Sequence, residues 1–127
     1  MNQRALNVLY VEDDVADADF ALSALKDVCK AAVDVRIEKD GESAARRLGL
    51  DGEKPPEPQP RPHMILLDLN LPKLPGRDLL RLIKQSPRLK AIPVVVLSTS
   101  NLQKDVDEIY GLGAAGYFSN DWSLSSR

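Results

Sequence analysis

The chain has 127 residues, of which 43% are hydrophobic and 28% charged, so we expect one globular domain over residues 1–127. Its formal net charge of −2 gives no reason to expect binding to nucleic acid or to an anionic membrane. The single cysteine excludes an internal disulfide and no apolar run approaches the ~20 residues that cross a bilayer, so we expect a cytoplasmic protein.

The first part of the chain predicts two strands and two helices. Leu6–Val11 is a short apolar run typical of a buried strand, and apolar residues recur at helical spacing over residues 18–32. Val33–Glu38 alternates apolar and polar residues, which indicates a strand at the edge of a sheet. Residues 40–41 predict a turn, and residues 42–50 a short helix.

Residues 51–63 interrupt this pattern with five prolines, at positions 55, 56, 58, 60 and 62. Proline lacks a backbone N–H group and fixes φ, so this density excludes a helix or a central strand. We predict an extended, exposed loop with polyproline character. It is either a solvated connector or a docking segment for a partner.

The second part opens with Met64–Asp68, a continuous apolar run that ends in a lone carboxylate and predicts a strand buried on both faces. A helix over residues 78–85 follows and ends at Ser86-Pro87. Residues 93–97 predict a strand, and 117–118 a fifth short one. Between them we expect a helix over residues 102–112, with three residues directed inward: Val106, Ile109 and Tyr110.

Regular alternation of strands and helices is typical of right-handed βαβ crossovers, and predicts an α/β fold with helices on both faces of a parallel sheet. The last nine residues, 119–127, are too few and too polar to form an amphipathic closing helix. We therefore expect an atypical C-terminal tail and a fold that lacks most or all of its final helix.

Polar side chains follow three of the predicted buried strands: Glu12 and Asp13, then Asp68, then Ser98. The carboxyl ends of parallel strands meet at one edge of the sheet, where ligands collect in this fold class. Carboxylates that meet there repel one another unless a cation joins them, and an oxygen-only ligand set suits Mg²⁺ or Mn²⁺. Capping of helix N-termini is the alternative for such acids, but Asp68 precedes a loop.

Five sequence blocks occur in order along the chain: Val11-Glu-Asp13, Leu66-Leu-Asp-Leu-Asn-Leu-Pro72, Gly76, Pro93-Val-Val-Val-Leu-Ser98 and Gly113-Ala-Ala-Gly-Tyr117. Together, over residues 6 to about 118, they resemble the CheY-like receiver domain of two-component response regulators. The resemblance implies a flavodoxin-like, doubly wound sheet of five parallel strands in the order 2-1-3-4-5.

The resemblance also implies roles for single residues. Asp68 matches the aspartate that receives a phosphoryl group from the phosphohistidine of a sensor kinase. Asp13 matches the direct Mg²⁺ ligand, Glu12 the acidic partner that acts through water, and the backbone carbonyl of Asn70 a further ligand. Ser98 matches the switch hydroxyl that turns towards the phosphoryl group.

Tyr117 matches the switch aromatic whose rotamer changes with that turn, although an ordinary half-buried strand aromatic is the alternative. The chain departs from the family at Asn120-Asp121, where receivers carry Lys-Pro. That lysine normally pairs with the phosphoryl group, and an amide supplies no charge. Lys73, in the loop after Asp68, is a candidate to replace it.

Three functions are compatible with these residues. The first is a stand-alone receiver, not an enzyme beyond its own phosphorylation and dephosphorylation, that is phosphorylated on Asp68 by a phytochrome-type sensor histidine kinase and signals to a downstream protein or as a homodimer. The second is a pseudo-receiver, an interaction module whose phosphorylation is crippled by Asn120. The third, a Mg²⁺-dependent phosphatase, needs an acid two residues beyond the nucleophile, where this chain has Asn70.

Overall fold

The computed structural model describes residues 6–13, 23, 33–50, 61–71, 73–98 and 102–119. Of the predicted helix over residues 18–32 only Ser23 is described, and it is helical. Most of the proline-rich loop, the position Asn120 and the rest of the tail lie outside the described residues. The described elements are β1 (Leu6–Val11), β2 (Val33–Glu38), α1 (Gly41–Arg47), β3 (Met64–Asp68), α2 (Gly76–Gln85), β4 (Val94–Ser98), α3 (Gln103–Gly111) and β5 (Gly116–Ser119).

The five strands form one sheet in the order β2-β1-β3-β4-β5, and every pair is parallel. This is the topology that the resemblance implied. The alternating strand β2 lies at one edge of the sheet, as predicted from its sequence. The three continuous apolar strands occupy the centre, because strands covered on both faces have no polar side to present.

The main core lies between one face of the sheet and the three described helices. Alternate residues of the central strands point to this face, and their register aligns Val11 with Leu67 and Leu67 with Val96. All three side chains are almost fully buried. The helices contribute the following buried residues to the same cluster: Ala44 and Ala45 from α1, Leu79, Leu80 and Ile83 from α2, and Ile109 from α3.

Helix α1 is shorter at its end and better defined at its start than the sequence predicted. Asp40 is its N-cap residue, and the carboxylate accepts a hydrogen bond from the Ser43 backbone N–H at 2.7 Å. The helix ends at Arg47 because Gly49 adopts φ 75°, the left-handed conformation that terminates helices. Asp40 and Gly41, which were predicted as a turn, therefore cap and begin the helix. Residues 48–50, which were predicted to be helical, follow its end and include the C-cap residue Leu48.

Helix α3 is attached to the core through fewer side chains than predicted. Ile109 is fully buried, but the adjacent Tyr110 is 47% exposed, so the prediction that Tyr110 faces inward was wrong. Successive residues in a helix are rotated by about 100°, so the two neighbours cannot both face the core. Arg77, in the first turn of α2, links α2 to α3 through Glu108 (2.7 Å) and Asp105 (3.5 Å).

Candidate functional site

The polar residues predicted to follow the buried strands meet at the carboxyl edge of the sheet. The register pairs Val11 of β1 with Leu67 of β3, and it pairs Asp68 with Leu97 of β4. Glu12, directly after β1, is therefore level with Asp68, the last residue of the neighbouring strand β3, and Ser98 is the last residue of the next strand, β4. The sequence could anticipate this meeting because parallel strands end at one edge.

Three carboxylates form one cluster at this edge. Glu12, Asp13 and Asp68 each offer an oxygen, and these oxygens lie within 4.8 Å of one another. Glu12 is 2% exposed and Asp68 8%, whereas Asp13 is exposed. Burial of two like charges beside a third is unfavourable unless a cation neutralises them. The oxygen-only donor set, open to solvent on the Asp13 side, therefore fits a hard divalent cation.

Backbone and side-chain hydrogen bonds hold the two buried carboxylates. The Asn70 backbone N–H donates to Asp68 Oδ1 at 3.0 Å, which orients the carboxylate through the loop that follows it. The phenolic hydroxyl of Tyr10 donates to Glu12 Oε1 at 3.4 Å inside the protein. Tyr10 was missed as a site residue. Its spacing of two from Glu12 was the available signal, since it places both side chains on the same face of β1.

Ser98 and Tyr117, the two residues matched to the family's switch, occupy different depths. Ser98 is buried at the end of β4, 3% exposed. Tyr117 pairs with Val96 and is half-buried against the main core. Its neighbour Phe118 points the other way and is 61% exposed. Tyr117 therefore lies on the side of β5 that faces the main core. Its role as a switch stays a prediction.

The loop after Asp68 is packed tightly between β3 and two helices. A Cβ atom on Gly76 would lie 2.5 Å from the carbonyl oxygen of Asp68, and one on Gly41 would lie 2.1 Å from that of Leu74. These distances are far below a normal carbon–oxygen contact, so both positions require glycine. The loop that follows the candidate nucleophile is therefore fixed by the starts of α1 and α2.

Lys73, the residue considered as a substitute cation, lies in this loop with φ 70°. Its ammonium is 3.7 Å from Asp40 Oδ2, so its described ion pair is with the cap of α1. The hydrogen bond from the Ser43 backbone is the largest cause that holds the pKa of Asp40 below its ordinary value, and Lys73 contributes through its charge.

Comparisons with known proteins identify the family. Residues 8–125 match the model of the response regulator receiver domain. The response regulator Rcp1 of Synechocystis sp. is 44% identical over 119 residues, which cover 92% of this chain and 78% of Rcp1. No helix among the described residues has the length and apolarity needed to span a membrane.

Two solved structures share the fold closely. The crystal structure of the phosphorylated cyanobacterial phytochrome response regulator RcpA has a TM-score of 0.82 and 39% identity, covering 97% of this chain and 86% of that one. The Mn²⁺-bound form of Rcp1 also has a TM-score of 0.82, with 40% identity, and covers 94% of this chain and 84% of that one. The family match, the sheet order and the acidic edge agree, and the chain belongs to the receiver domains of two-component response regulators.

Proposed function

We propose that this receiver accepts a phosphoryl group on Asp68 and signals through a change in its protein contacts. The observation that carries the proposal is the position of Asp68, buried at the end of β3 within a cluster of three carboxylates. Membership of the receiver family and the phosphorylated state of the relative RcpA support phosphorylation as the activity, and the assignment to Asp68 rests on its position.

The same cluster is the proposed cation site. The carboxylates of Asp13 and Asp68 and the backbone carbonyl of Asn70 would hold Mg²⁺ or Mn²⁺ directly, and the carboxylate of Glu12 would hold it through water. The relative Rcp1 has been crystallised with Mn²⁺. A divalent cation bound there screens the repulsion between a carboxylate and the incoming phosphoryl oxygens. Two buried carboxylates in the absence of such screening would make a poor acceptor.

The chain's own groups perform the transfer. A carboxylate oxygen of Asp68 attacks the phosphorus of a phosphohistidine, a P–O bond forms, and the P–N bond breaks as the imidazole leaves with the electron pair. The Asn70 backbone N–H keeps the attacking carboxylate oriented. Ser98 is the proposed switch hydroxyl that follows the new phosphoryl group, and Tyr117 the proposed aromatic that moves with it.

The proposed phosphoryl donor is a sensor histidine kinase of the phytochrome type, because the relative RcpA is a phytochrome response regulator. The proposed location of a chain with such a donor is the cytoplasm. A downstream protein or a second copy of the chain is the proposed recipient of the signal. The proline-rich segment at residues 51–63 and the tail at 119–127 are proposed parts of one receiver domain, residues 1–127.

The test is intact-mass spectrometry after incubation with Mg²⁺ and acetyl phosphate. The wild-type chain should gain one phosphoryl group, and both chelation of Mg²⁺ and Asp68→Ala should abolish the gain. Asp107→Ala is the matched control, because Asp107 is an exposed acid on α3 and its loss should leave the adduct intact.

A pseudo-receiver is the second candidate, and the substitution of Asn120 for the family's lysine is the observation that favours it. It predicts cation binding without a phosphoryl adduct. In that outcome Asn120→Lys should restore phosphorylation if the missing charge is the cause. An adduct on the wild-type chain would reject this candidate.

A further inference from the structure

Tyr10 is buried beside the acidic cluster although its phenol is not needed for any role described so far. The side chain is 2% exposed, and its hydroxyl donates to Glu12 Oε1 at 3.4 Å. Leu9 and Val11, its neighbours on β1, point to the opposite face and join the main core, whereas Tyr10 does not. Tyr10 therefore shares a face of β1 with Glu12 and with the cluster.

The hydroxyl distinguishes Tyr10 from the other large side chains of the central strands, which are aliphatic. A leucine or phenylalanine would fill buried space without carrying a polar group into it, and a buried hydroxyl is costly unless it is hydrogen-bonded. Here the acceptor is the Glu12 carboxylate, at an oxygen–oxygen distance of 3.4 Å that lies at the long end for a hydrogen bond. Because the Tyr10 hydroxyl donates this bond to one oxygen of Glu12, it favours one orientation of the Glu12 carboxylate.

We propose that Tyr10 is a positioning residue of the cation site, whose hydroxyl holds the Glu12 carboxylate in the orientation used for binding. The inference rests on the proposed function, since it assumes that the cluster binds a divalent cation. Loss of the hydroxyl removes one of the restraints on the Glu12 side chain, and cation binding must then supply the ordering that this restraint provided. Groups that orient a metal ligand typically contribute ten- to hundredfold to metal affinity.

The test compares wild-type chain, Tyr10→Phe and Tyr110→Phe, with free Mn²⁺ measured by electron paramagnetic resonance and Mg²⁺ by competition. Each substitution removes one phenolic oxygen, but Tyr110 is 47% exposed on α3 and serves as the matched control. We expect Tyr10→Phe to weaken Mn²⁺ binding about tenfold. Tyr110→Phe should leave the dissociation constant unchanged.

A double-mutant cycle with Glu12→Gln separates orientation from packing. If Tyr10 acts through Glu12, Tyr10→Phe should have little further effect in the Glu12→Gln background. The proposal is overturned if Tyr10→Phe binds Mn²⁺ as well as the wild type does, or if the loss is equally large in both backgrounds. It is also overturned if Tyr10→Phe fails to fold without metal, because the hydroxyl would then serve stability.

The wild-type measurement keeps this inference distinct from the proposed function. A wild-type chain that binds no Mn²⁺ contradicts the cation site itself, and the inference with it. A wild-type chain that binds Mn²⁺ and is phosphorylated, beside an unaffected Tyr10→Phe, contradicts only the role of Tyr10.

Discussion

Gly76→Ala should show how tightly the loop after Asp68 is packed. An added Cβ would lie 2.5 Å from the Asp68 carbonyl oxygen and 2.7 Å from the Leu69 Cα. Both neighbours are backbone atoms, so a normal contact requires the loop to move by roughly 1 Å. Overpacking of this kind costs about 1–3 kcal/mol, and alanine returns only about 0.5–1 kcal/mol through its better helix propensity. We expect a net loss of about 1 kcal/mol, and at most about 2.5 kcal/mol, in the free energy of unfolding.

Gly111→Ala is the matched control, since Gly111 lies in α3 and nothing is within 4 Å of its added Cβ. There only the propensity remains, and the substitution should stabilise the chain by about 0.5–1 kcal/mol. Urea denaturation gives both free energies, and an unchanged m-value shows that the unfolding transition is the same one.

The same pair of variants tests the link from packing to function. Because Gly76 contacts the backbone of Asp68, its replacement should displace the candidate nucleophile, and a displacement of about 1 Å can slow a reaction about 100-fold. Gly111→Ala should accept a phosphoryl group from acetyl phosphate at the wild-type rate, as followed by mass spectrometry. A Gly76→Ala chain as stable and as reactive as the wild type would refute the reasoning.

Three further predictions follow from the described contacts. Asp40→Ala should lower the free energy of unfolding by about 1 kcal/mol at about pH 7, because α1 loses the N-cap hydrogen bond from the Ser43 backbone N–H. The pKa of Asp40 is lowered from 3.8 in the folded state, so the difference between variant and wild type should be complete above about pH 4 and shrink as the pH falls further. A difference that stays constant with pH in denaturation experiments would contradict this. In the presence of a chelator, Asp68→Asn should raise the free energy of unfolding by about 1 kcal/mol, because repulsion among the carboxylates is relieved, and the melting temperature should rise with it. The variant should also lose the stabilisation that Mg²⁺ gives the wild type, and a melting temperature below that of the wild type in chelator would contradict this prediction. Arg77→Met should lower the free energy of unfolding by less than about 1 kcal/mol, and by less again in high salt, because the ion pair of Arg77 with Glu108 is half-exposed. A larger or salt-independent loss in urea denaturation would contradict an electrostatic origin.

Local patterns were sufficient to predict the strands and the acidic edge. A central parallel strand such as Met64–Asp68 must be apolar on both faces, so its sequence shows no alternation, whereas Val33–Glu38 alternates because it lies at the edge. The ends of parallel strands lie at one edge, so the sequence predicts Glu12, Asp13 and Asp68 at the same edge, and they meet because β1 and β3 are neighbours. The order of the strands came from the resemblance, because the sequence pattern fixes each element and not its neighbours.

Contacts between distant residues were decided only by the tertiary structure. The pairing of Lys73 with Asp40, the bridge from Arg77 to α3 and the need for glycine at position 76 each depend on how elements approach one another. The exposure of Tyr110 could not be predicted either, because the apolar pattern of a helix does not show which residues at the edge of its buried face contact the sheet. The hydrogen bond from Tyr10 to Glu12 was predictable from the sequence only in part. The sequence determined that the two side chains share a face of β1, and only the packed sheet decided that the hydroxyl and the carboxylate meet inside the protein.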